Sequence, residues 1–382
     1  MTILELDVSD PAVLADPLAA YGCAREAGPV ARLGAPGFGP MWVVTRHDGA
    51  RAMLGDARFA PAADSYQRLD VPAHCLPYLR TMQEMAGPEH AYLRRLVSPA
   101  FTPRRAAGFR ERIAAIVDTL LDELAAGGDE VDLLAGFAGP LPMEVICEIV
   151  GVPGPDRSRW RAWGAAVAAG HGAAFADAIP AIIDGAKEVV ARRRAEPADD
   201  VVTDLLDTDL DETALVTFVW HLVLAGQTPT NLVANAVDAL FAHPAQRAVL
   251  AATGAGVEEL TRWCGPQLLT IPRFATEEVD LFGVPVAKGE PVLAALGAAN
   301  RDPRVFADPE RLDLDRPNAA AHLAYAHGPH FCLGAPLARV QTEVALTALL
   351  RRFPDLSPAG EPRRVPDPGT LRLLSLPVRF HD

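Results

Sequence analysis

Tyr325-Ala-His-Gly-Pro-His-Phe-Cys-Leu-Gly334 is the stretch that decides the reading of this chain. Gly328 stands four residues before Cys332 and Gly334 two after it. Glycines at those places let backbone come close to a flat ligand and leave amide N–H groups free to face a sulfur. A helix is predicted over Pro336–Phe353, just past the cysteine, and the positive end of its dipole favours thiolate over thiol. A thiolate held this way is a strong axial ligand for heme iron. The plainer alternative for a lone cysteine is an inert, buried residue in a glycine turn.

Outward from that loop the sequence is mainly α with a small β portion. Val257–Cys264 has helical spacing, and Leu268–Pro291 reads as short strands with turns at Phe282-Gly283 and Lys288-Gly289. The strongest helix is expected over Asp211–Ala242, capped by Asp211 and stopped by His243-Pro244. Its middle is almost wholly apolar, so it should be buried all round and span a domain. Further helices are expected over Glu89–Val97, Pro103–Ala126, Pro155–Ala169 and Asp177–Arg194, with a strand at Met41–Thr45. Asp64–Met85 is irregular and reads as a surface loop.

Composition narrows the function. The 382 residues are half hydrophobic and 22% charged, which is ordinary for a globular protein. The net charge of −14 argues against nucleic acid as the main partner, because phosphate binding needs a basic footprint. The five cysteines (23, 75, 147, 264 and 332) are scattered and show no CxxC pair, which speaks against a disulfide framework or zinc ribbon. The acidic start MTILELDVSDP is unlike a signal peptide. The longest apolar stretch, Ala214–Gly226, is too short to span a bilayer. A cytoplasmic protein without a membrane segment is expected.

The run around Cys332 resembles the heme-binding signature of the cytochrome P450 superfamily, with Tyr325 standing where phenylalanine is usual. The resemblance extends from about Met41 to the end and implies a soluble bacterial, actinomycete-like member. It implies the family fold, with a long central helix over heme b (iron protoporphyrin IX), and one heme-thiolate oxidase domain over 1–382. By the same resemblance Cys332 ligates the metal, and Tyr325, Gly328 and Gly334 shape its loop. Glu259-Leu-Thr-Arg262 matches the family's E-x-x-R, and Arg316 matches the arginine that completes that network. The two E-x-x-R positions share one helical face, as a buried ion pair requires. His90 and Arg94 in GPEHAYLRR, Arg273 and His330 match donors to the heme propionates, which need cationic or imidazole partners.

The oxygen-activating segment departs from the family pattern. Relatives carry an acid and an alcohol there, which relay protons to dioxygen; this chain has Leu224-Ala-Gly-Gln-Thr-Pro-Thr-Asn231. Aligned from the downstream run Asn231–Pro244, Gln227 replaces the acid and Thr228 keeps the alcohol. Aligned from Ala225-Gly226, the two roles fall on Thr228 and Pro229. That second register needs a deletion inside a buried helix, rotating everything after it by about 100°. In both registers the carboxylate is missing, and glutamine does not titrate. Pro229 should kink the helix.

No flavin or iron–sulfur motif is present, so electrons must come from a separate protein, and a ferredoxin with its ferredoxin reductase is the expected supplier. Arg94–Ile113 holds six arginines (94, 95, 104, 105, 110, 112) against one acid, a patch that would steer an acidic partner. The resemblance places the substrate pocket near Phe218, His221, Ala225, Leu268, Ile271 and Leu373. His221 is either a satisfied core histidine or a substrate contact. The expected protein is a monomeric oxidase of a small natural product in bacterial secondary metabolism. Oxidative coupling of aromatic or peptide groups is its alternative within enzymes, and a non-catalytic heme sensor its alternative outside them.

Overall fold

The computed structural model describes residues 3–35, 39–62, 71–169 and 173–380. Its largest sheet draws strands from far apart in the chain: β1 (Glu5–Asp7), β2 (Val30–Ala35), β3 (Gly39–Val44), β4 (Phe59–Ala60), β5 (Arg273–Ala275) and β6 (Pro291–Ala294), in the spatial order β1-β2-β3-β6-β5-β4. β2 and β3 form an antiparallel hairpin, while β3 runs parallel to β6, with Trp42 beside Val292 and Val44 beside Ala294. Parallel pairing needs a long crossover, and here nearly all the helices lie within it.

The helices that build the site are α1 (His47–Gly55), α2 (Gly87–Val97), α3 (Arg110–Ala126), α4 (Pro140–Val150), α5 (Arg157–Ala169), α6 (Ala173–Ala195), α7 (Glu212–Ala225), α8 (Pro229–Ala242), α9 (Val257–Cys264) and α10 (Ala335–Arg352). α9 has the bounds its spacing predicts. The helix expected over Pro103–Ala126 divides at Phe109, whose buried ring ends a short first helix, Pro103–Gly108. The expected turns are present, with positive φ at Phe282, Gly283 and Gly289. Of the irregular stretch Asp64–Met85, residues 64–70 lie outside the described residues, and the rest forms two short 3-10 turns, Ala73–Tyr78 and Met82–Glu84. Among the described residues no helix is long and apolar enough to cross a membrane.

The single long helix expected over Asp211–Ala242 is instead two, and Pro229 explains why. Proline has no N–H, so in a continuous helix the Ala225 carbonyl would lose its partner. Here the Thr228 N–H and hydroxyl both donate to it, at 3.2 and 2.9 Å. α7 therefore stops at Ala225, a turn of i→i−3 bonds follows, and α8 restarts with Pro229 in its first turn. Gly226 lets this turn pack closely on α4: a Cβ there would stand 2.6 Å from Ile146 Cγ1. The expected kink is thus a complete break.

Candidate active site

The loop before α10 is held from three directions. Gly328 has φ +73°, and a Cβ on it would lie 2.7 Å from the Leu54 carbonyl, so glycine is required by both conformation and space. The Cys332 N–H donates to the Tyr325 carbonyl at 2.9 Å, closing the loop on itself. The Tyr325 ring packs between His322, Phe331 and the Arg339 guanidinium, the last 4.8 Å from its centre. Tyr325 therefore braces the loop.

Cys332 keeps exposed surface although protein atoms crowd the sulfur, so it sits in a concave place. That burial raises its pKa, while N–H groups of Gly334 and Ala335, with Arg94 and Arg339 nearby, pull it back toward thiolate. These are the first amides of α10, the arrangement expected of a helix-stabilised thiolate. On the open side of Gly334 nothing lies within 4 Å of where a Cβ would project.

Beside the loop the structure gathers the four predicted propionate donors. The rings of His90 and His330 lie 4.1 Å apart, Arg94 Nη2 donates to the Phe331 carbonyl at 2.7 Å, and Arg273 Nη1 donates to the Leu54 carbonyl at 2.7 Å. Burial pushes the Arg273 pKa down to about 10. Burial, then the neighbouring His90, Arg273 and Arg94, pushes His330 down to about 3. His90 is lowered by burial and by the same two arginines. Among the described residues no carboxylate pairs with any of the four. Two of them, Arg94 and Arg273, are cations; desolvated cations without an anion are costly, and a group bearing two carboxylates supplies the missing charge, with the histidines as neutral hydrogen-bond partners. The residues present therefore fit heme: a thiolate-directed sulfur, an open glycine face and a cationic cradle.

The E-x-x-R network forms as predicted. Arg262 grips Glu259 with two bonds of 2.7 and 2.8 Å, and Arg316 Nε reaches the same carboxylate at 3.0 and 3.1 Å. Arg262 also donates to the Asn300 carbonyl, and Arg316 to the Arg311 carbonyl, both at 2.8 Å, tying the segment before the cysteine loop to α9. All three side chains are buried.

A second network escapes the sequence reading. Glu258, next to Glu259, holds Arg339 of α10 and His322 Nε2, the latter at 2.9 Å. Burial alone would raise the Glu258 carboxyl, but His322 and Arg339 outweigh it and hold it at about 2. A carboxyl lowered on folding stabilises the fold above its unfolded pKa and loses that contribution as pH falls. The wild type should therefore melt higher than Glu258→Gln at neutral pH, and the gap should close between pH 4.5 and about 2. Thermal melts across that range check this, and a gap independent of pH would refute it.

At the helix break Ala225 and Thr228 are exposed, while Gly226 and Gln227 are half-buried. The Thr228 hydroxyl spends its proton on the Ala225 carbonyl, so it offers a neighbour its lone pairs. The Gln227 amide lies against Gly164 of α5, where a Cβ would collide with it.

The substrate candidates separate. Phe218 and His221 line one small cavity of about 40 Å³ with Met82, Met85, Leu93 and Val97. Burial pushes the His221 pKa down to about 4, so the ring is neutral at neutral pH. Ile271 is exposed. Leu268 and Leu373 are both buried, Leu268 packed with Tyr21 and Leu293, and Leu373 in the helical core that also holds Phe218. The arginine patch is also smaller than its sequence suggests. Arg105 pairs with Asp199 and Asp204, Arg110 with Glu343 and Arg112 with Glu148, while Arg94 turns to the cysteine loop. Arg95 and Arg104 remain exposed without an acidic partner among the described residues.

The cytochrome P450 family model matches residues 243–380. A mycinamicin IV hydroxylase/epoxidase of Micromonospora griseorubida is 41% identical over 351 residues, 88% of each chain. The cytochrome P450 monooxygenase PikC of Streptomyces venezuelae is 37% identical over 395 residues, 99% of this chain and 94% of that one. The structure of CxnD, a cytochrome P450 described for C–S bond formation in chuangxinmycin biosynthesis, superposes with a TM-score of 0.85 at 30% identity, covering 100% of this chain and 98% of that one. Similarity of this depth spans the cysteine loop, the cationic cradle and the E-x-x-R network alike, and the chain belongs to the cytochrome P450 family, as a heme b enzyme of its monooxygenase type.

Proposed function

We propose that residues 1–382 act as one monomeric oxidase domain that takes two electrons from a ferredoxin and its reductase and oxidises a small natural product in bacterial secondary metabolism. Heme, when bound, supplies the activation of dioxygen. Cys332 would hold it by the sulfur and His90, Arg94, Arg273 and His330 by the propionates. Thr228 would accept a hydrogen bond at its lone pairs, since its own proton is engaged, and so hold a proton beside the reacting oxygen.

The observation that carries the substrate class is the α7 face. Phe218 and His221 face the cavity, and one turn further the exposed Ala225 leads to the helix break. The wall is mostly apolar, with Arg80 paired to Glu89 and the Thr217 hydroxyl bonded to the Tyr78 carbonyl, which leaves the neutral His221 imidazole to meet one hydrogen-bonding group of a largely apolar molecule. Mycinamicin IV, named for the Micromonospora relative, is the first to test. With ferredoxin, reductase and mycinamicin IV, the holoenzyme should form an oxygen-dependent product that gains one oxygen atom. No product from mycinamicin IV or from a panel of largely apolar molecules with one hydrogen-bonding group would overturn the proposed class.

A second reading rests on the missing carboxylate. Gln227 cannot shuttle a proton, and a chain that abstracts hydrogens and joins radicals has no need to insert oxygen. A product that has lost two hydrogens and gained no oxygen would favour it, in keeping with the bond-forming chemistry named for CxnD. Gln227→Glu distinguishes the readings. If proton delivery limits the reaction, it should raise the product formed per electron pair consumed several-fold, toward one; an unchanged ratio would count against a relay role for this position.

Electron delivery is proposed to use Arg95 and Arg104. Reversing both charges should slow heme reduction by ferredoxin about tenfold at low salt, with the difference fading as salt rises. Equal rates at low salt would remove these residues from the docking face.

A further inference from the structure

α8 also borders a cleft of about 470 Å³ that shares no residue with the active site described above. That size suits a small molecule. Its other walls are the end of α9, Arg301, the segment 364–372 and the turn around Asp16.

The acids of the cleft are already engaged. Asp238 pairs with Arg364. Asp367 accepts from the Gly369 and Thr370 amides and the Thr370 hydroxyl, and Asp16 caps the helix that follows it. Two other groups are not engaged. Arg372 makes no ion pair or side-chain hydrogen bond among the described residues, and its Nε is buried without a partner. Asn235 is 3% exposed; its Nδ2 donates to the Leu371 carbonyl at 2.9 Å, but its Oδ1 is buried and accepts nothing among the described residues. A buried amide oxygen left unpaired is an exception that calls for an explanation. Both residues line the cleft, and both unpaired atoms are closed off from it at rest, so a ligand reaches them only as the side chains turn. Trp263 and Leu18 give the cleft apolar surface.

We propose that this cleft is a second binding site, for a small amphipathic carboxylate that carries a hydrogen-bond donor beside the acid, as α-amino and α-hydroxy acids do. The carboxylate pairs with Arg372, the donor answers Asn235 Oδ1, and the apolar part lies on Trp263. A polyanion such as a phosphate ester fits poorly, because Asp16, Asp238 and Asp367 balance Arg301, Arg364 and Arg372. The site is independent of what is oxidised at the heme.

The test is calorimetric titration of the holoenzyme with four probes: L-phenylalanine, L-3-phenyllactate, 3-phenylpropionate and 2-phenylethylamine. The first two should bind with a Kd of about 1 mM or below, phenylpropionate about fivefold more weakly, and phenylethylamine without measurable heat. Binding should quench Trp263 fluorescence, lost in Trp263→Phe, and leave the heme absorption band unmoved. Arg372→Gln should weaken L-phenylalanine about tenfold, with Arg372→Lys between it and wild type. Absence of heat with both acids, equal affinity for phenylpropionate, or unchanged affinity in a heme-loaded Arg372→Gln would overturn the proposal. So would a shift of the heme band on binding, which would place the ligand at the active site. The four-probe comparison on wild type stands even if an Arg372 variant fails to load heme.

Discussion

Replacing Cys332 with serine should abolish the thiolate signature and nearly all turnover. The reduced, carbon-monoxide-bound protein should lose its long-wavelength Soret band and show the short-wavelength one, and product formation should fall on the order of 10³-fold, a loss of about 4 kcal/mol in the barrier. The reason is local. Two amides at the start of α10 and two arginines lower the cost of a negative charge at this position, and a hydroxyl cannot ionise to use them. Cys264→Ser is the control. Burial pushes that thiol up to about 12, and its sulfur donates to the Leu260 carbonyl at 3.1 Å, so it stays protonated within α9 and the substitution should leave the band in place. A Cys332→Ser protein that kept the long-wavelength band would displace Cys332 as the ligand.

Glu259→Ala should have the largest effect on stability. It removes one carboxylate and leaves two buried guanidinium groups, Arg262 and Arg316, with only carbonyl partners. It also strands the Asp313 amide, which donates to Glu259 at 3.1 Å. Breaking one buried pair costs about 3–5 kcal/mol, and whole domains are stable by about 5–15 kcal/mol. Little heme-loaded protein should survive expression at 37 °C, and what does should melt well below wild type. Glu343→Ala, which breaks an exposed pair with Arg110, should cost about 0–1 kcal/mol. If the two variants melted alike, the Glu259 network would not be holding the cysteine loop's foundation.

What could be read from the sequence was what lies close together in it. The cysteine loop fits within ten residues and the E-x-x-R pair within one turn of α9, so each carries its pattern on its face. The cationic cradle came from the family resemblance, and its four members converge as that resemblance implied. Glu258 was passed over because its partners His322 and Arg339 are distant in the chain and nothing local marks it as different from any exposed acid. Pro229 announced a disturbance in the central helix, but the i→i−3 turn and the two Thr228 bonds to the Ala225 carbonyl that make it a break have no local mark. Leu268 and Leu373 carry little local signal, because a leucine looks the same whether it lines a pocket or fills a core. In the strand Leu373–Ser375 successive side chains point to opposite faces, so Leu373 is buried and Leu374 exposed. A shift of one residue along such a strand inverts the exposure. The short strands β1 and β2 went unread because three to six residues have no periodicity of their own without their partner strands.

The parallel pairing of β3 with β6 sets an order of events during synthesis. Trp42 leaves the ribosome some 250 residues before its neighbour Val292, a delay of roughly 10–50 s at bacterial elongation rates. For that time Val43 and Val44, both wholly buried in the finished protein, have no β6 to cover them, and the edge of β3 is an open template for pairing with another nascent chain. The cysteine loop emerges later still. Cofactor capture is therefore one of the last steps, and a cell short of heme would accumulate a chain whose sheet is complete while its cationic cradle still lacks a counter-charge.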